Sequence, residues 1–262
     1  MKSRCRSLYQ DLASIGERLR EAVKIALFLD FDGTLVPLVR NPSDARLDEG
    51  TRQMLTRVSR HSRIVTTIIS GRPVSDLCGR IGLSDVIYAG NHGLEILGRH
   101  LRFLEPVAAA RREELAHLAR HLAAKLREVD GAVVEYKGLT TSVHYRGVAI
   151  SEIDRVESTV QAEVAPATAR FRMKASKLAF EIVPRTNWNK GKAALWIGQH
   201  LGVDAVSIYL GDDVTDEDAF RVLPDGITVH VGESDATLAR YCLADPSAVH
   251  EFLAWLDQHV PA

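Results

Sequence analysis

The segment at residues 27–34 constrains the fold of this chain more than any other, because an apolar run ends there in two aspartates. It reads Leu-Phe-Leu-Asp-Phe-Asp-Gly-Thr. The apolar residues favour a buried strand of a parallel sheet, and Gly33 favours a turn that ends it. Side chains two positions apart on a strand point the same way, so we expect Asp30 and Asp32 to leave the strand on one face.

Two carboxylates this close repel each other unless a cation lies between them. Mg²⁺ prefers a few carboxylate oxygens together with phosphate and water, so the Asp30 and Asp32 pair indicates phosphoryl transfer. The simpler interpretation is that one or both aspartates cap the turn made by Gly33 and Thr34. Three segments further along the chain favour the first interpretation.

The first of these segments is a β-branched run at residues 64–69, which is typical of a buried parallel strand and precedes Ser70, Gly71 and Arg72. A hydroxyl at the carboxyl end of a strand could donate to a phosphoryl oxygen, and Gly71 would let the backbone come close. An ordinary turn is the alternative for Ser70 and Gly71.

The second segment places Lys190 and Lys192 at the start of a predicted helix. A cation at a helix start opposes the helix dipole, so its position needs a reason. Nearby carboxylate and phosphate groups would supply one. The alternative is a solvated lysine whose stem packs on the first turn, and this is what we expect for Lys192.

The third segment is an apolar run at residues 205–210 that leads into Gly211 and five acids within seven residues. Such a cluster favours a cation site, a capped helix start, or both. Residues 216–218 suit the first turn of a helix, whereas Asp212 and Asp213 come before it and are freer to meet a metal. Asp213 and Asp216 are both candidates to bind the metal directly or to contact one of its ligands.

In this order, the four motifs resemble those of the haloacid dehalogenase (HAD) superfamily of phosphatases. Over about residues 24–255 the chain resembles one family within it, the trehalose-6-phosphate phosphatases. One departure is Asn189, where that family more usually has an acid, and we interpret it as a minor change in local charge. The closer resemblance rests on the segments Asn91-His92-Gly93-Leu94-Glu95, Glu135-Tyr136-Lys137-Gly138, His144-Tyr145-Arg146 and Glu181-Ile182-Val183-Pro184.

The resemblance implies Mg²⁺-dependent hydrolysis of trehalose 6-phosphate to trehalose and phosphate, the last step of trehalose biosynthesis, through an aspartyl-phosphate. In that mechanism Asp30 is the nucleophile and Asp32 is the acid and base. Ser70 and Lys190 hold the transferring group. The metal ligands are expected to be Asp30, Asp32 and Asp212, and Asp32 could ligate through its backbone carbonyl.

The resemblance also implies contacts to the substrate. Glu135, Lys137 and Glu181 are expected at the sugar, while His144 and Arg146 could contact phosphate or link two domains. Alternation alone is equally compatible with one solvated polar face of an antiparallel sheet. The predicted substrate-binding residues are Gly71, Arg72, Glu135, Lys137, His144, Arg146 and Glu181. The further candidates near the cleft are His92 and Glu95, although a structural role for the histidine is an equal alternative.

The order of elements predicts an α/β protein with a Rossmann-like HAD core, built on a parallel sheet, and a smaller inserted α+β cap domain. A long helix predicted over 107–128 is followed by antiparallel strands predicted at 133–136 and 140–146, a pattern that differs from the alternating strands and helices before it. We therefore expect the core at 1–105 and 184–262 and the cap, which would select the substrate, at 106–183. Pro106 and Pro184 are natural borders.

Composition narrows the class of partner. The net charge of −1 argues against nucleic acid, and no apolar run approaches the length of a membrane span. The three cysteines lack metal-type spacing and are expected to be free thiols, which favours a cytoplasmic protein. We expect a monomer that acts on a small sugar phosphate and is functionally linked to a trehalose-6-phosphate synthase.

Two other functions are compatible with the sequence. The same core with a different cap could hydrolyse another sugar phosphate, such as a glucosylglycerol, sucrose or hexose phosphate. A protein of a different class would be a non-catalytic sugar-phosphate sensor. The complete set of motif residues argues against a sensor, because a binding module needs no nucleophile and acid.

Overall fold

The computed structural model describes residues 5–39, 41–98, 100–176, 178–201, 205–234 and 236–260. The chain divides into two compact units. Unit 1 comprises Met1–Phe103 and Trp188–Ala262, and unit 2 comprises Leu104–Asn187. These divisions fall beside Pro106 and Pro184, where the sequence predicts the borders of the cap.

The strands of the described residues belong to two sheets. They are β1 (Arg6–Ser7), β2 (Lys24–Asp30), β3 (Ile64–Ile69), β4 (Ile87–Gly90), β5 (Glu95–Leu97), β6 (Arg102–Leu104), β7 (Val133–Tyr136), β8 (Thr141–His144), β9 (Phe171–Ser176), β10 (Ala179–Pro184), β11 (Ala205–Gly211), β12 (Ile227–Val231) and β13 (Tyr241–Leu243).

The α-helices of the described residues are spread over both units. They are α1 (Leu12–Glu21), α2 (Glu49–Arg60), α3 (Val74–Ile81), α4 (Pro106–Ala110), α5 (Arg112–Leu126), α6 (Ile150–Val164), α7 (Lys190–His200), α8 (Glu217–Val222) and α9 (Pro246–His259).

The larger sheet has the order β1-β13-β12-β11-β2-β3-β4-β5-β6 among the described residues. Neighbouring strands from β1 to β4 run parallel, and β5 pairs antiparallel with β4. Strand β2 is buried on both faces, because Leu27 and Leu29 enter one core while Ala26 and Phe28 enter the other. Helices α1, α2, α3 and α9 contribute to the first core, and α7 and α8 to the second. This is the predicted α/β fold with a parallel sheet.

Unit 2 contains the smaller sheet, whose order is β7-β8-β10-β9 with antiparallel pairs throughout. Helices α5 and α6 pack on one of its faces. Leu122 of α5 and Val156 of α6 share a separate core with Val143 and Ile182 of the strands. An antiparallel sheet with helices on one side is the predicted α+β arrangement.

Two predicted elements differ from the structure. The helix predicted over 107–128 is divided into α4 and α5 at Arg111, whose backbone leaves helical geometry at φ −100° and ψ 1°. The strand predicted to run to Arg146 ends at His144, and Arg146 lies in the turn that follows. Within the described residues, the helices are too short or too polar to cross a membrane.

Candidate active site

Three neighbouring strands of unit 1 bring the polar residues of the chain's motifs to one edge of the large sheet. Strand β2 ends at Asp30, directly beside Ile69 at the end of β3. On its other side β2 pairs with β11, which ends at Gly211 just before Asp212. Carboxyl ends of parallel strands share an edge, so residues far apart in sequence meet there.

Lys190 provides positive charge at this edge of the large sheet. Its Nζ donates to Oδ1 of Asp30 at 2.7 Å and to Oδ1 of Asp216 at 2.8 Å, and the side chain is 3% exposed. Burial acts to lower the pKa of Lys190, but Asp216 and Asp30 outweigh it and raise the pKa above its ordinary value. The ammonium group is therefore held charged at the start of α7, against the helix dipole, by two carboxylates.

The environment of Asp30 disfavours the charged form of its carboxyl group. It is 4% exposed, and burial raises its pKa well above the ordinary value, with Asp216 and Asp212 adding to the increase and Lys190 opposing it. A free carboxylate at this point is costly unless more positive charge is present.

Asp30, Asp212 and Asp216 form the acidic cluster. Each offers a carboxylate oxygen, and these oxygens all lie within 4.8 Å of one another. Three carboxylates to one ammonium group leave an excess of negative charge, and a set made only of oxygen donors suits a hard divalent cation. The residues present therefore fit a divalent metal ion.

Gly33 makes room for this cluster. Its φ is +89°, and a Cβ at this position would lie 2.1 Å from Oδ2 of Asp212. Thr34 Oγ1 donates to Oδ1 of Asp212 at 3.5 Å. The Gly-Thr pair that follows the two aspartates thus lets the β11 loop approach the β2 loop closely.

The cluster differs from the predicted metal set at one position. Asp216 takes part, whereas the side chain of Asp32 lies elsewhere, because both of its oxygens accept from Arg72, at 2.6 Å from Nε and 2.7 Å from Nη2. A role of Asp32 through its backbone carbonyl stays a prediction. The side chain of Asp213 lies outside the cluster. The backbone N–H of Asp213 donates to Oδ2 of Asp216 at 3.1 Å.

Sequence reasoning missed Tyr209, a buried residue of β11. Its hydroxyl donates to Oδ1 of Asp216 at 2.8 Å, the same oxygen that Lys190 contacts. Burial raises the pKa of Tyr209 well above its ordinary value, so the group remains a donor. A tyrosine near the end of a largely apolar strand is the signal that could have pointed to it, since a buried hydroxyl needs a partner.

The loop after β3 is joined to the loop after β4. Ser70 is 2% exposed, and its Oγ accepts from the backbone N–H of Arg72 at 3.2 Å. The backbone N–H of His92 donates to the carbonyl of Ser70 at 2.8 Å. A Cβ on Gly71 would lie 2.8 Å from Cε1 of His92, so only glycine fits without movement.

This junction depends on an unusual backbone. Asn91 and His92 both adopt left-handed conformations, with φ of 49° and 59°. Glu95 stabilises it, because its Oε1 accepts from Nδ2 of Asn91 at 2.7 Å and from the backbone N–H of Val74 at 2.9 Å. Glu95 therefore links the β4 loop to the start of α3, while His92 lies against Gly71.

In unit 2, four of the predicted substrate-binding residues lie together. Oε2 of Glu135 is 2.8 Å from Nε2 of His144, and Nζ of Lys137 is 3.5 Å from Oε1 of Glu181. Glu135 and Glu181 both pair in register with Ser142 of the central strand β8, so their side chains share one face. This polar cluster, made of Glu135, Lys137, His144 and Glu181, is half-buried to buried apart from the exposed Glu135.

In unit 1 an aspartate pair, a hydroxyl residue, a lysine and an acidic loop meet at the ends of parallel strands, which is the arrangement that the resemblance to the HAD superfamily predicts. The model of the trehalose-phosphatase family matches residues 28–247. The chain belongs to the trehalose-phosphatase family.

Individual relatives agree with this assignment. The trehalose-phosphate phosphatase of Mycobacterium bovis is 36% identical over 239 residues, which cover 87% of this chain and 60% of that protein. The chain thus spans about 60% of the length of the curated trehalose-phosphate phosphatases it matches. The C-terminal domain of the C. albicans trehalose-6-phosphate phosphatase has the same fold, with a TM-score of 0.79 and 23% identity over 98% of this chain and 100% of that domain.

The fold also occurs in a protein of a different description. The C-terminal domain of the Candida albicans trehalose synthase regulatory protein has a TM-score of 0.65 and 13% identity, over 93% of this chain and 97% of that domain. A fold of this kind is thus shared by proteins of different descriptions, and the activity of any one of them depends on the residues of its site.

Proposed function

We propose that the protein hydrolyses trehalose 6-phosphate to trehalose and phosphate with Mg²⁺ as cofactor. One observation supports this above others: Lys190 holds Asp30 and Asp216 in an acidic cluster with Asp212. Membership of the trehalose-phosphatase family supports the choice of substrate.

In the first step, a carboxylate oxygen of Asp30 attacks phosphorus, and the bond from phosphorus to the sugar oxygen breaks. Asp32 gives a proton to the departing sugar oxygen. Ser70 donates a hydrogen bond to a phosphoryl oxygen, and Lys190 keeps the Asp30 carboxylate in place through its 2.7 Å contact.

In the second step, Asp32 takes a proton from water as the water oxygen attacks the phosphorus of the aspartyl-phosphate. The bond from phosphorus to the Asp30 oxygen breaks, so that phosphate leaves and the Asp30 carboxylate is restored. Asp30, Asp212 and Asp216 would hold Mg²⁺, which when bound supplies positive charge to the phosphoryl oxygens.

In this proposal, residues of unit 2 determine which leaving group is accepted. Carboxylates and an ammonium group are good partners for neighbouring sugar hydroxyls, and Glu135, Lys137 and Glu181 offer both. Their mutual contacts keep the groups oriented before a sugar arrives. We assign the sugar contacts to this polar cluster, and His144, through its bond to Glu135, to the same surface.

The test is phosphate release from trehalose 6-phosphate, glucose 6-phosphate, sucrose 6-phosphate and a small aryl phosphate, each with Mg²⁺ and with a chelator. A strong Mg²⁺-dependent preference for trehalose 6-phosphate is expected. Mg²⁺-dependent release that favours another ester would keep the chemistry and replace the substrate. Absence of release from every ester would favour a sugar-phosphate sensor.

A further inference from the structure

The guanidinium of Arg72 donates most of its hydrogen bonds to acceptors within the protein. Besides its two bonds to Asp32, Nη2 donates to the carbonyl of Pro42 at 2.8 Å and Nη1 donates to Oδ2 of Asp76 at 3.0 Å. Of the five N–H groups of a guanidinium, four point at these acceptors. Arg72 was predicted to bind substrate, yet this arrangement leaves little of it for a phosphate.

Arg72 is also held firmly. Its side chain is 11% exposed, and the guanidinium lies 5.5 Å from the ring centroid of Phe31. Asp76, in the first turn of α3, accepts in addition from Nε of Arg80 at 2.8 Å. Arg80 in turn donates to the carbonyl of Ala45 at 2.6 Å. The plane of the Arg72 guanidinium is therefore determined by contacts on two sides.

We infer that Arg72 is a positioning residue that acts through Asp32: its two parallel bonds hold the carboxylate of the acid and base in one orientation for proton transfer to and from the leaving oxygen. The inference rests on the proposed function, in which Asp32 has that role. Planar two-point contact is a property of arginine that lysine lacks, so the orientation depends on the fork as well as on the charge.

Leaving-group basicity separates this role from phosphate binding. In the first step the bond from phosphorus to the leaving oxygen breaks while the proton passes from Asp32 to that oxygen. A basic leaving group needs this proton, whereas the weakly basic para-nitrophenolate leaves almost as well without it. Loss of orientation at Asp32 should therefore slow phenyl phosphate much more than para-nitrophenyl phosphate, and neither ester carries a sugar.

The experiment measures kcat/KM of Arg72→Lys on these two aryl phosphates and on trehalose 6-phosphate. Because kcat/KM reports the steps up to the first irreversible one, the common second step does not obscure the comparison. We expect losses of about 10- to 100-fold for phenyl phosphate and the sugar ester, and of less than about threefold for para-nitrophenyl phosphate.

Arg80→Lys is the matched control. Arg80 is as buried as Arg72 and contacts the same Asp76, but its other bonds go to the carbonyls of Ser43 and Ala45 rather than to Asp32. We expect it to stay within about threefold of the parent on all three esters, because a lysine can keep the charge beside Asp76. Asp76→Asn is a second test variant, should Arg72→Lys not fold, and it should show the same dependence on the leaving group with smaller losses.

Equal losses on the two aryl phosphates would overturn the inference and favour a phosphate contact or a purely structural role, and so would no loss on either. A double variant gives an independent readout: Arg72→Lys should add nothing to the loss caused by Asp32→Asn, whereas additive losses would also overturn it. If the parent enzyme hydrolyses aryl esters but not trehalose 6-phosphate, the proposed substrate fails while the Arg72 comparison still stands.

Discussion

Asp30 and Lys190 are the two residues whose side chains meet at the centre of the sheet edge, 2.7 Å apart and almost fully buried. In the proposed mechanism Asp30 and Lys190 have different roles. Asp30 forms the bond to phosphorus, and Lys190 balances charge and fixes its orientation. A change that removes the nucleophile but keeps the contact should separate chemistry from structure.

Asp30→Asn is that change. The amide oxygen can still accept from Lys190, but the weakly nucleophilic amide should lower kcat by at least about 10⁴-fold. The thermal unfolding midpoint should not fall, because the change removes one charge from a cluster with an excess of negative charge. Phosphate release and thermal unfolding check both statements, and near-normal release would remove Asp30 as the nucleophile.

Glu181→Ala tests the sugar contacts. Glu181 accepts from Ser142 Oγ at 3.3 Å and pairs with Lys137, and the proposed mechanism gives it contact only with the leaving group. We expect kcat/KM for trehalose 6-phosphate to fall by about 10- to 100-fold, and that for a small aryl phosphate by less than about threefold.

The control for this variant is Glu163→Ala in the same unit. Glu163 also pairs with a lysine, Lys125, but it lies on α6 outside the polar cluster. It should lower neither rate appreciably. Equal losses on both substrates in Glu181→Ala would argue against a role of this residue at the sugar.

At the scale of elements, the start of α7 decides where Lys190 lies. Asn189 is the N-cap of this helix, since its Oδ1 accepts from the backbone N–H of Lys192 at 2.9 Å. Position 189 therefore has a structural role in addition to its effect on local charge, and the departure from the acid usual in the family leaves that role in place. Asparagine and aspartate both serve this capping role well.

Asn189→Ala should lower the free energy of unfolding by about 1 kcal/mol, because it removes the cap. Asn189→Asp is the matched comparison, and it should keep the stability within about 0.5 kcal/mol of the parent, since a carboxylate accepts the same bond and suits the positive end of the helix dipole. Chemical denaturation measures both. Equal destabilisation by the two variants would contradict the capping role.

At the scale of the whole molecule, metal binding should couple to stability. An ion that binds the folded acidic cluster but not the unfolded chain stabilises the fold by about 2.7 kcal/mol at a concentration of 100 times its Kd. Mg²⁺ should therefore raise the thermal unfolding midpoint relative to chelator. Asp212→Asn should abolish most of the increase, whereas Asp154→Asn, a change on the exposed surface of α6, should not. An unchanged midpoint with Mg²⁺ in the parent protein would contradict the metal site.

The comparisons confirm the predicted fold class and family. Both follow from local features that a sequence displays directly. Buried parallel strands read as continuous apolar runs, and each of the three central runs carries its polar residues at its carboxyl end. The ordered motifs place Asp30, Ser70, Lys190 and Asp212 on those strand ends and the helix start, where the structure describes them. Their catalytic roles stay predictions.

Only the tertiary structure decided how the charges are shared. Asp32 and Asp216 are both acids beside glycine-containing loops, yet Asp32 accepts from Arg72, whereas Asp216 accepts from Lys190 and belongs to the acidic cluster. The partner of each carboxylate depends on which loops the sheet brings together, and contacts such as that between Asp30 and Lys190 join residues 160 positions apart. Local sequence determines which groups reach the sheet edge, whereas the competition of carboxylates for a few buried cations is settled only by their positions in space.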